Sequence, residues 1–379
     1  MNDITSAPSY MAALSRKSET AALPCSRCNK KDWLILSFDT SCDDTSVAVT
    51  LNDRVLSNVI ASQVRFHQPF GGIVPNIAKR MHLKLLEPSL KKALKTARVS
   101  LQEIEAIAVT YGPGLAPALE AGINFAKALA KKENKPLIGI NHMEAHLLAP
   151  LAKNSKGNGP FKNKKIIFPF LGLLVSGGHT QLVLAEKIGQ YQILGQTLDD
   201  AAGEAFDKVA RLLDLGYPGG AIIEKLARLS TDKTKIKLPI PMINSNDLNY
   251  SFSGLKTAAR QKIEQTLKKD QQFIVDFAAA FELTIAKSLT LKLNQALKQY
   301  PVRQIFLGGG VINNQTIRRE IKKTAKLYQT EVFIPFDKKL ISDNAAMIGI
   351  TAYFKAQRNQ FVKNIDKLDR KPGLTLNLN

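Results

Sequence analysis

Two histidines stand four residues apart in NHMEAHLLAP, at His142 and His146, in a chain that has five. On a helix, positions i and i+4 share one face, so two imidazoles there can ligate one metal ion. Glu144 lies between them. A zinc-protease helix needs its glutamate directly after the first histidine, in HExxH, where the carboxylate can act as general base. In HxExH the glutamate points about 200° around the helix from His142, and the protease reading fails on geometry. The pair then has two readings: part of a metal site, or two half-buried helix histidines. A metal would need a further ligand. Asp343, in ISDNAAM just before a helix, is the best candidate, because its small neighbours leave room for close approach.

Two polar turns suggest a second kind of chemistry. DTSCDDTS (39–46) and VSGGHT (175–180) each lie between two apolar, strand-like stretches. In the second, Gly177 and Gly178 let backbone N–H groups approach an anion closely. Ser41, Thr45, Ser176 and Thr180 add hydroxyl donors. Asp39, Asp43 and Asp44 would repel a bare phosphate, and make sense if they orient a donor, a metal or a water. Taken singly, each turn could be an ordinary polar hairpin. As a matched pair they point to a cleft. GGGV (308–311) follows a buried strand and opens a helix, as a nucleotide site can. It is neither GxGxxG nor a Walker loop, and a close-packing turn explains it as well.

These residues need a scaffold. WLILSFDTSCDDTSVAVTL (33–51) reads as strand, turn and strand. Helices are predicted over 80–97 and 115–134, and strands over 105–114 and 136–140. After a Gly/Asn/Lys-rich break at 153–165 the pattern restarts, with strand, Gly turn and strand over 166–186. Helices follow at 199–214, 221–230 and 270–299. A strand, glycine turn and helix span 304–328, a strand covers 331–336, and a closing helix covers 342–356. Strand–polar turn–strand thus occurs once in each half, with helices interleaved. This weak repeat predicts an α/β protein of two similar lobes with mixed sheets and a cleft between them.

Composition narrows the class. The 379 residues are 45% hydrophobic and 22% charged, ordinary for a soluble globular chain of two lobes. No apolar run is long enough to span a bilayer, so no membrane is expected. The N-terminus lacks the apolar core of a signal peptide. Its Ser/Ala-rich, weakly basic stretch could be a transit peptide, but Asp3, Glu19 and Asp32 oppose that reading. We read residues 1–32 as a disordered extension. Three cysteines indicate a reducing compartment. Cys25 and Cys28 form half of a zinc site with no second half nearby, or simply tail residues. The formal charge of +21 favours polyanions such as nucleic acid, or reflects solvated lysine faces.

SFDTSCDDTSVAV, NHMEAHLLAP, LLVSGGHTQLVL, DDAAGEAFDKVARLLDLGYPGG, YSFSGLKTA, GGGVINN and SDNAAMIG occur in one order along the chain. Together they resemble the TsaD/Kae/Qri family, the tRNA threonylcarbamoyladenosine transferases once described as glycoproteases. The resemblance covers about residues 33–356. It implies an actin-like (ASKHA) ATPase fold. The expected layout is a first lobe at 33–150, a linker at 151–165, a second lobe at 166–335, and residues 336–379 as a helix returning to the first lobe plus a tail.

The resemblance also implies a reaction. A threonylcarbamoyl group passes from threonylcarbamoyl-AMP to N6 of the adenosine 3′ of the anticodon in tRNAs reading ANN codons, and AMP leaves. By family match, His142, His146 and Asp343 would hold one divalent ion, iron or alternatively zinc. Leu174, Val175, Ser176, Gly177, Gly178, Asp207, Gly220, Glu224 and Asn314 would bind the adenylate. Asp43 or Asp44 is our candidate for accepting the amine proton. Implied partners are tRNA with a paralogous TsaB-like actin-fold subunit and a small TsaE-like P-loop ATPase, or a second copy of the chain if it is of the mitochondrial type. The expected location is the cytoplasm. A plain actin-fold kinase or ATPase, or a non-catalytic scaffold paralogue, would lack the histidine motif. The chain departs from the family pattern in its shorter acids DTSCDDT, and at Asn76, Lys79 and Pro117. Glu144 is expected to support the site and not to act as a base.

Overall fold

The structure is a computed structural model that describes residues 32–267 and 270–376. The extension read at 1–32 lies outside the described residues except for its last position, and so do Cys25 and Cys28. The first half contains β1 (Leu34–Asp39), β2 (Asp44–Leu51), β3 (Arg54–Ser62), α1 (Val64–His67), α2 (Pro75–Ala97), β4 (Ala106–Gly112), α3 (Ala116–Lys132), β5 (Leu137–Asn141) and α4 (His142–Leu148). The second contains β6 (Phe170–Val175), β7 (Thr180–Lys187), β8 (Gln190–Gln196), α5 (Ala202–Leu212), α6 (Gly219–Ala227), α7 (Ser253–Glu264), α8 (Gln271–Gln299), β9 (Gln304–Gly308), α9 (Gln315–Leu327), β10 (Glu331–Phe333) and α10 (Ala345–Gln357).

The internal repeat is a repeat of topology. The first five-stranded sheet has the order β3-β2-β1-β4-β5 and the second β10-β9-β6-β7-β8. Each is an antiparallel three-strand meander followed by two parallel strands on the other side of its first strand. The sequence reading missed β3, whose half-exposed residues lack a clean alternation. It also missed α7, hidden in the polar YSFSGLKTA stretch. The last strand stops at Phe333, because Pro335 cannot donate to a ladder.

Strand periodicity decides what faces the site. In β1, Leu34, Leu36 and Phe38 point to the core formed with α2 and α3. Ile35 packs on the opposite face with Ala145, Met347 and Ile348. Asp39 shares that second face by period 2. In β6, Leu171, Leu173 and Val175 join the large core with α5 to α9. Phe170 and Leu174 face Met143 and Leu147 of α4. Burial on both faces explains why these strands read as continuous apolar runs.

Two helices therefore lie between the sheets. α10 packs chiefly on β1 and β2, whereas α4 packs on β6 and β9. Close approach is built in. A Cβ on Gly172 would fall on the Leu147 side chain, and one on Gly308 on the His146 carbonyl oxygen. Among the described residues no helix is long and apolar enough to cross a membrane.

Candidate functional site

α4 starts directly at the end of β5, and Asn141 makes the change of direction possible. Its Oδ1 accepts from the Met143 N–H (2.8 Å) and the Glu144 N–H (3.3 Å), two donors that a helix start leaves unpaired. Its Nδ2 donates to the Thr375 carbonyl at 2.9 Å. The cap sets His142 at the first helical position and His146 one turn on. Their rings meet edge to face with centroids 4.6 Å apart. Asp343 arrives from the loop before α10. Asn344 caps that helix through the Met347 N–H at 3.1 Å. The helix start is tied to the first sheet, since Ser46 Oγ accepts from the Ala345 N–H (2.8 Å) and Ser37 Oγ donates to the Ala345 carbonyl (2.7 Å). The result places Asp343 Oδ1 at 3.1 Å from His146 Nε2 and 3.4 Å from His142 Nε2.

The electrostatics are those of a cation site. Both histidines are buried. Burial is the largest single influence on His142 and pushes its pKa down, but the Asp39 and Asp343 carboxylates together outweigh it and lift it to about 10. His146 is lowered, by burial first and also by the His142 charge, against the Asp343 carboxylate, which pulls it up. Asp343 is held well below the usual carboxylate range: burial opposes this, and the two imidazoles overcome it. Asp39 Oδ1 lies 3.6 Å from His142 Nδ1, on the side of the ring away from Asp343. Asp39 Oδ2 and both histidine Nδ1 atoms are buried without a hydrogen-bond partner. One donor atom from each of His142, His146 and Asp343 lies within 4.8 Å of the others. Two imidazoles and a carboxylate, with a further buried carboxylate behind one ring, fit a divalent transition metal.

Glu144 is buried in the body of the protein. Its Oε1 accepts from the Tyr191 hydroxyl at 3.1 Å, and its Oε2 lies 3.6 Å from Lys355 Nζ. It thereby braces α4 against β8 and α10, as expected of a supporting residue.

The first polar turn is held by His82, which contacts Thr45 Oγ1 (2.8 Å) and the Cys42 carbonyl (2.9 Å). Burial raises the Cys42 thiol pKa well above its ordinary value, so it is a poor nucleophile. Burial also raises Asp43, with Asp343 adding to it. Asp44 is pushed up to about 7 by burial and then by the Asp43 charge. Its Oδ1 is buried and unpartnered.

In the second turn the Ser176 N–H donates to the His179 carbonyl (2.8 Å), and the His179 N–H to Ser176 Oγ (3.1 Å). Gly177 and Gly178 are exposed, and a Cβ on either would meet nothing within 4 Å, so open space lies before the turn. Leu174 and Val175 are fully buried strand residues that can offer only backbone. α5 docks on the turn through the Gly203 N–H to the Ser176 carbonyl (3.3 Å) and the Glu204 N–H to the Gly177 carbonyl (3.1 Å). Asp207 accepts the Gly219 N–H at 2.7 Å, and burial raises its pKa although the Gly219 and Gly220 N–H groups pull it down. Glu224 Oε1 accepts from the Gln315 N–H (3.0 Å) and from Arg228 (2.6 Å). Asn314 caps α9 through the Ile317 N–H (2.9 Å) and donates to buried Glu282 (2.7 Å). Its side chain is therefore largely engaged within the protein.

The structure thus gathers His142, His146 and Asp343 into one cluster. Asp207, Gly220, Glu224, Gln315 and Asn314 form a connected string on the second half. Burial raises the Asp207 and Tyr217 pKa values, and the Asp43 charge adds to both, so the first turn lies near the YPGG turn. Arg211 donates to the Gly71 carbonyl and closes the two halves at that side. Sequence spacing assigned no role to His179, and it offered Asp39 only as one of three acids in the first turn that could orient a donor, a metal or a water. Burial, and then the nearby His142 and His146, lower His179 to about 4, which keeps it neutral. The signal for Asp39 was its parity with Ile35 and Ser37 on β1.

A sequence profile described as TsaD, tRNA N6-adenosine threonylcarbamoyltransferase, matches residues 54–350. A protein of that name from Geotalea uraniireducens is 43% identical over 328 residues, covering 86% of this chain and 92% of the relative. One from Phocaeicola vulgatus is 44% identical over 342 residues, covering 89% and 97%. Among solved structures, HypF of T. kodakarensis superposes with a TM-score of 0.58 at 11% identity, over 88% of this chain and 49% of that one. A full-length HypF in a phosphate- and nucleotide-bound form gives a TM-score of 0.53 at 14% identity, over 88% and 57%. These two likenesses concern the fold alone.

Proposed function

This chain belongs to the TsaD family of tRNA N6-adenosine threonylcarbamoyltransferases, with the actin-like fold, and from that premise we propose how its residues carry the transfer. It is a transferase acting on tRNA. The donor is threonylcarbamoyl-AMP, and the acceptor is N6 of the adenosine 3′ of the anticodon in tRNAs reading ANN codons. The observation that carries this reading is the convergence of His142, His146 and Asp343 beside an open Ser-Gly-Gly turn.

An iron or zinc ion held by His142, His146 and Asp343 would supply Lewis-acid polarisation of the threonylcarbamoyl group. Asp39, behind His142 Nδ1, fixes the ring so that Nε2 is the ligating atom. The Gly177 and Gly178 backbone faces the adenylate phosphate, where N–H groups stabilise the charge of the leaving AMP. Leu174, Val175 and Ser176 form the strand end that presents this turn. Asp207 acts by holding Gly219 and Gly220 at the start of α6. Glu224 and Asn314 hold the Gln315 segment against the nucleoside side.

Chemically, the N6 amine forms a bond to the carbamoyl carbon, the carbon–oxygen bond to phosphate breaks, and AMP departs with that electron pair. The amine proton goes to a carboxylate. Asp44 suits this better than Asp43, because a pKa near 7 lies close to the operating pH and its Oδ1 has no competing partner.

The test is transfer of labelled threonine from the preformed adenylate to unmodified tRNA. Labelled tRNA with wild type and none with His142→Ala or Asp343→Ala is expected. Equal labelling by these variants would refute the site assignment. For the assembly, we favour a heteromer with a paralogous actin-fold subunit and a P-loop ATPase. Full activity of the chain alone as a dimer would instead indicate the mitochondrial-type arrangement.

A further inference from the structure

α9 turns Thr316, Ile317, Ile321 and Ala325 into the core of the second half. Its outer face is basic. Arg318, Lys322 and Lys326 form one row at i, i+4 spacing, and Arg319 and Lys323 a second. With Gln315 they line a shallow groove of about 450 Å³. One acid shares this face: Glu320 pairs with Arg319 (3.2 Å) and Lys323 (2.9 Å). Lys322 and Lys326 are exposed and pair with no described residue.

A basic helix face is often only solvated. This one differs in where it begins. The Gln315 N–H is held by Glu224 at 3.0 Å, and Arg318 donates to the Asn313 carbonyl at 3.1 Å. Asn313 Nδ2 in turn donates to Ser342 Oγ at 3.1 Å, one residue before Asp343. The groove therefore opens at the segment that joins the glycine turn to the metal-binding cluster. It runs outward from there to Lys326, about 16 Å at 1.5 Å per helical residue.

We propose that this face of α9 holds the sugar–phosphate backbone of the acceptor tRNA and feeds the modified nucleotide toward the cleft. The inference rests on the reading of tRNA as acceptor. Charge complementarity selects a polyphosphate over a protein partner. Protein interface cores are poor in lysine and rich in aromatic residues, whereas this groove is lined by five cations and one glutamine, with no aromatic. Nothing on it reads bases, so it would position the tRNA without adding sequence preference.

The test combines Arg319→Gln, Lys322→Gln, Lys323→Gln and Lys326→Gln, exposed helix positions where glutamine preserves helicity. Binding of unmodified tRNA is measured by anisotropy between 50 and 200 mM salt. A control removes the same charge elsewhere, at Lys262, Lys287, Lys298 and Arg303. If these side chains contact phosphates, the slope of log affinity against log salt falls by about 0.7 to 0.9 per lost contact, roughly 3 to 3.6 for the four. Affinity at physiological salt falls on the order of 10- to 100-fold. AMP release from the adenylate without tRNA stays unchanged. An unchanged slope, or an equal loss in the control, overturns the assignment of this face. Absence of tRNA binding by wild type would instead overturn the acceptor reading itself.

Discussion

Replacing Asp44 by Asn should move stability and activity in opposite directions. The native carboxyl titrates at about 7 against an ordinary 3.8, because burial and then the Asp43 charge disfavour its ionised form. Between these values the native chain binds more protons than the unfolded one, so stability falls as pH rises through that window. The penalty is absent below pH 3.8 and complete above 7. Three units correspond to about 4 kcal/mol at 1.36 kcal/mol per unit. Asp44 keeps some solvent contact, which screens part of this, so about 2 kcal/mol is expected. Asp44→Asn removes the charge and keeps the shape. Urea unfolding should therefore show the variant about 2 kcal/mol more stable at pH 8 and equal to wild type near pH 3.5. Transfer should fall by roughly 10²- to 10⁴-fold, the usual worth of a positioned base. Wild-type kcat/KM should rise with pH up to about 7 and then level, and the variant should lose that inflection. A variant that is no more stable at pH 8, or that keeps both rate and inflection, would refute the assignment.

Other substitutions probe the supports of the site. Gly308→Ala drives a methyl into the His146 carbonyl. We expect about 1–3 kcal/mol of destabilisation and weakened metal retention, read by thermal unfolding and metal analysis. Asp39→Asn removes the carboxylate behind His142 Nδ1 and should weaken metal affinity by roughly 10- to 100-fold, measured by competition with a chelator. Unaltered affinity would mean that the ring is fixed by packing alone. Tyr191→Phe takes the donor from buried Glu144 Oε1. It should cost about 1–3 kcal/mol in denaturant unfolding while leaving the pH profile of transfer in place.

Much of the fold was legible because strands buried on both faces leave continuous apolar runs, as in LILSFD and FLGLLV. The histidine pair was legible from helical spacing, and its wrong-register glutamate from the same rule. Asp39 was legible only as one of three acids in the first polar turn; that it stands behind His142 depends on which face of β1 turns toward the helices between the sheets, and that is fixed by tertiary packing. Asn314 shows the reverse difficulty. Its position after the glycine turn is plain in the sequence, yet its commitment to the α9 cap and Glu282 is visible only in three dimensions. Two family departures acquire local reasons. Lys79 pairs with Glu120 at 2.8 Å. Pro117 sits in the first turn of α3, where its missing N–H would be unpaired in any case. Nothing in the structure explains Asn76.

The crossed placement of α4 and α10 has a consequence for how the chain can be divided. Each helix belongs by sequence to one half and by packing to the other's sheet. A cut in the polar stretch 153–165 would leave one fragment with Met143, Leu147 and Leu148 bare, and the other with Ala345, Ala346 and Ile350 bare. Neither piece is a self-sufficient body. Together they are complementary, like two partners that have exchanged arms. The histidines would travel with one fragment and Asp343 with the other, so capture of a metal ion would signal that the pieces had found each other again.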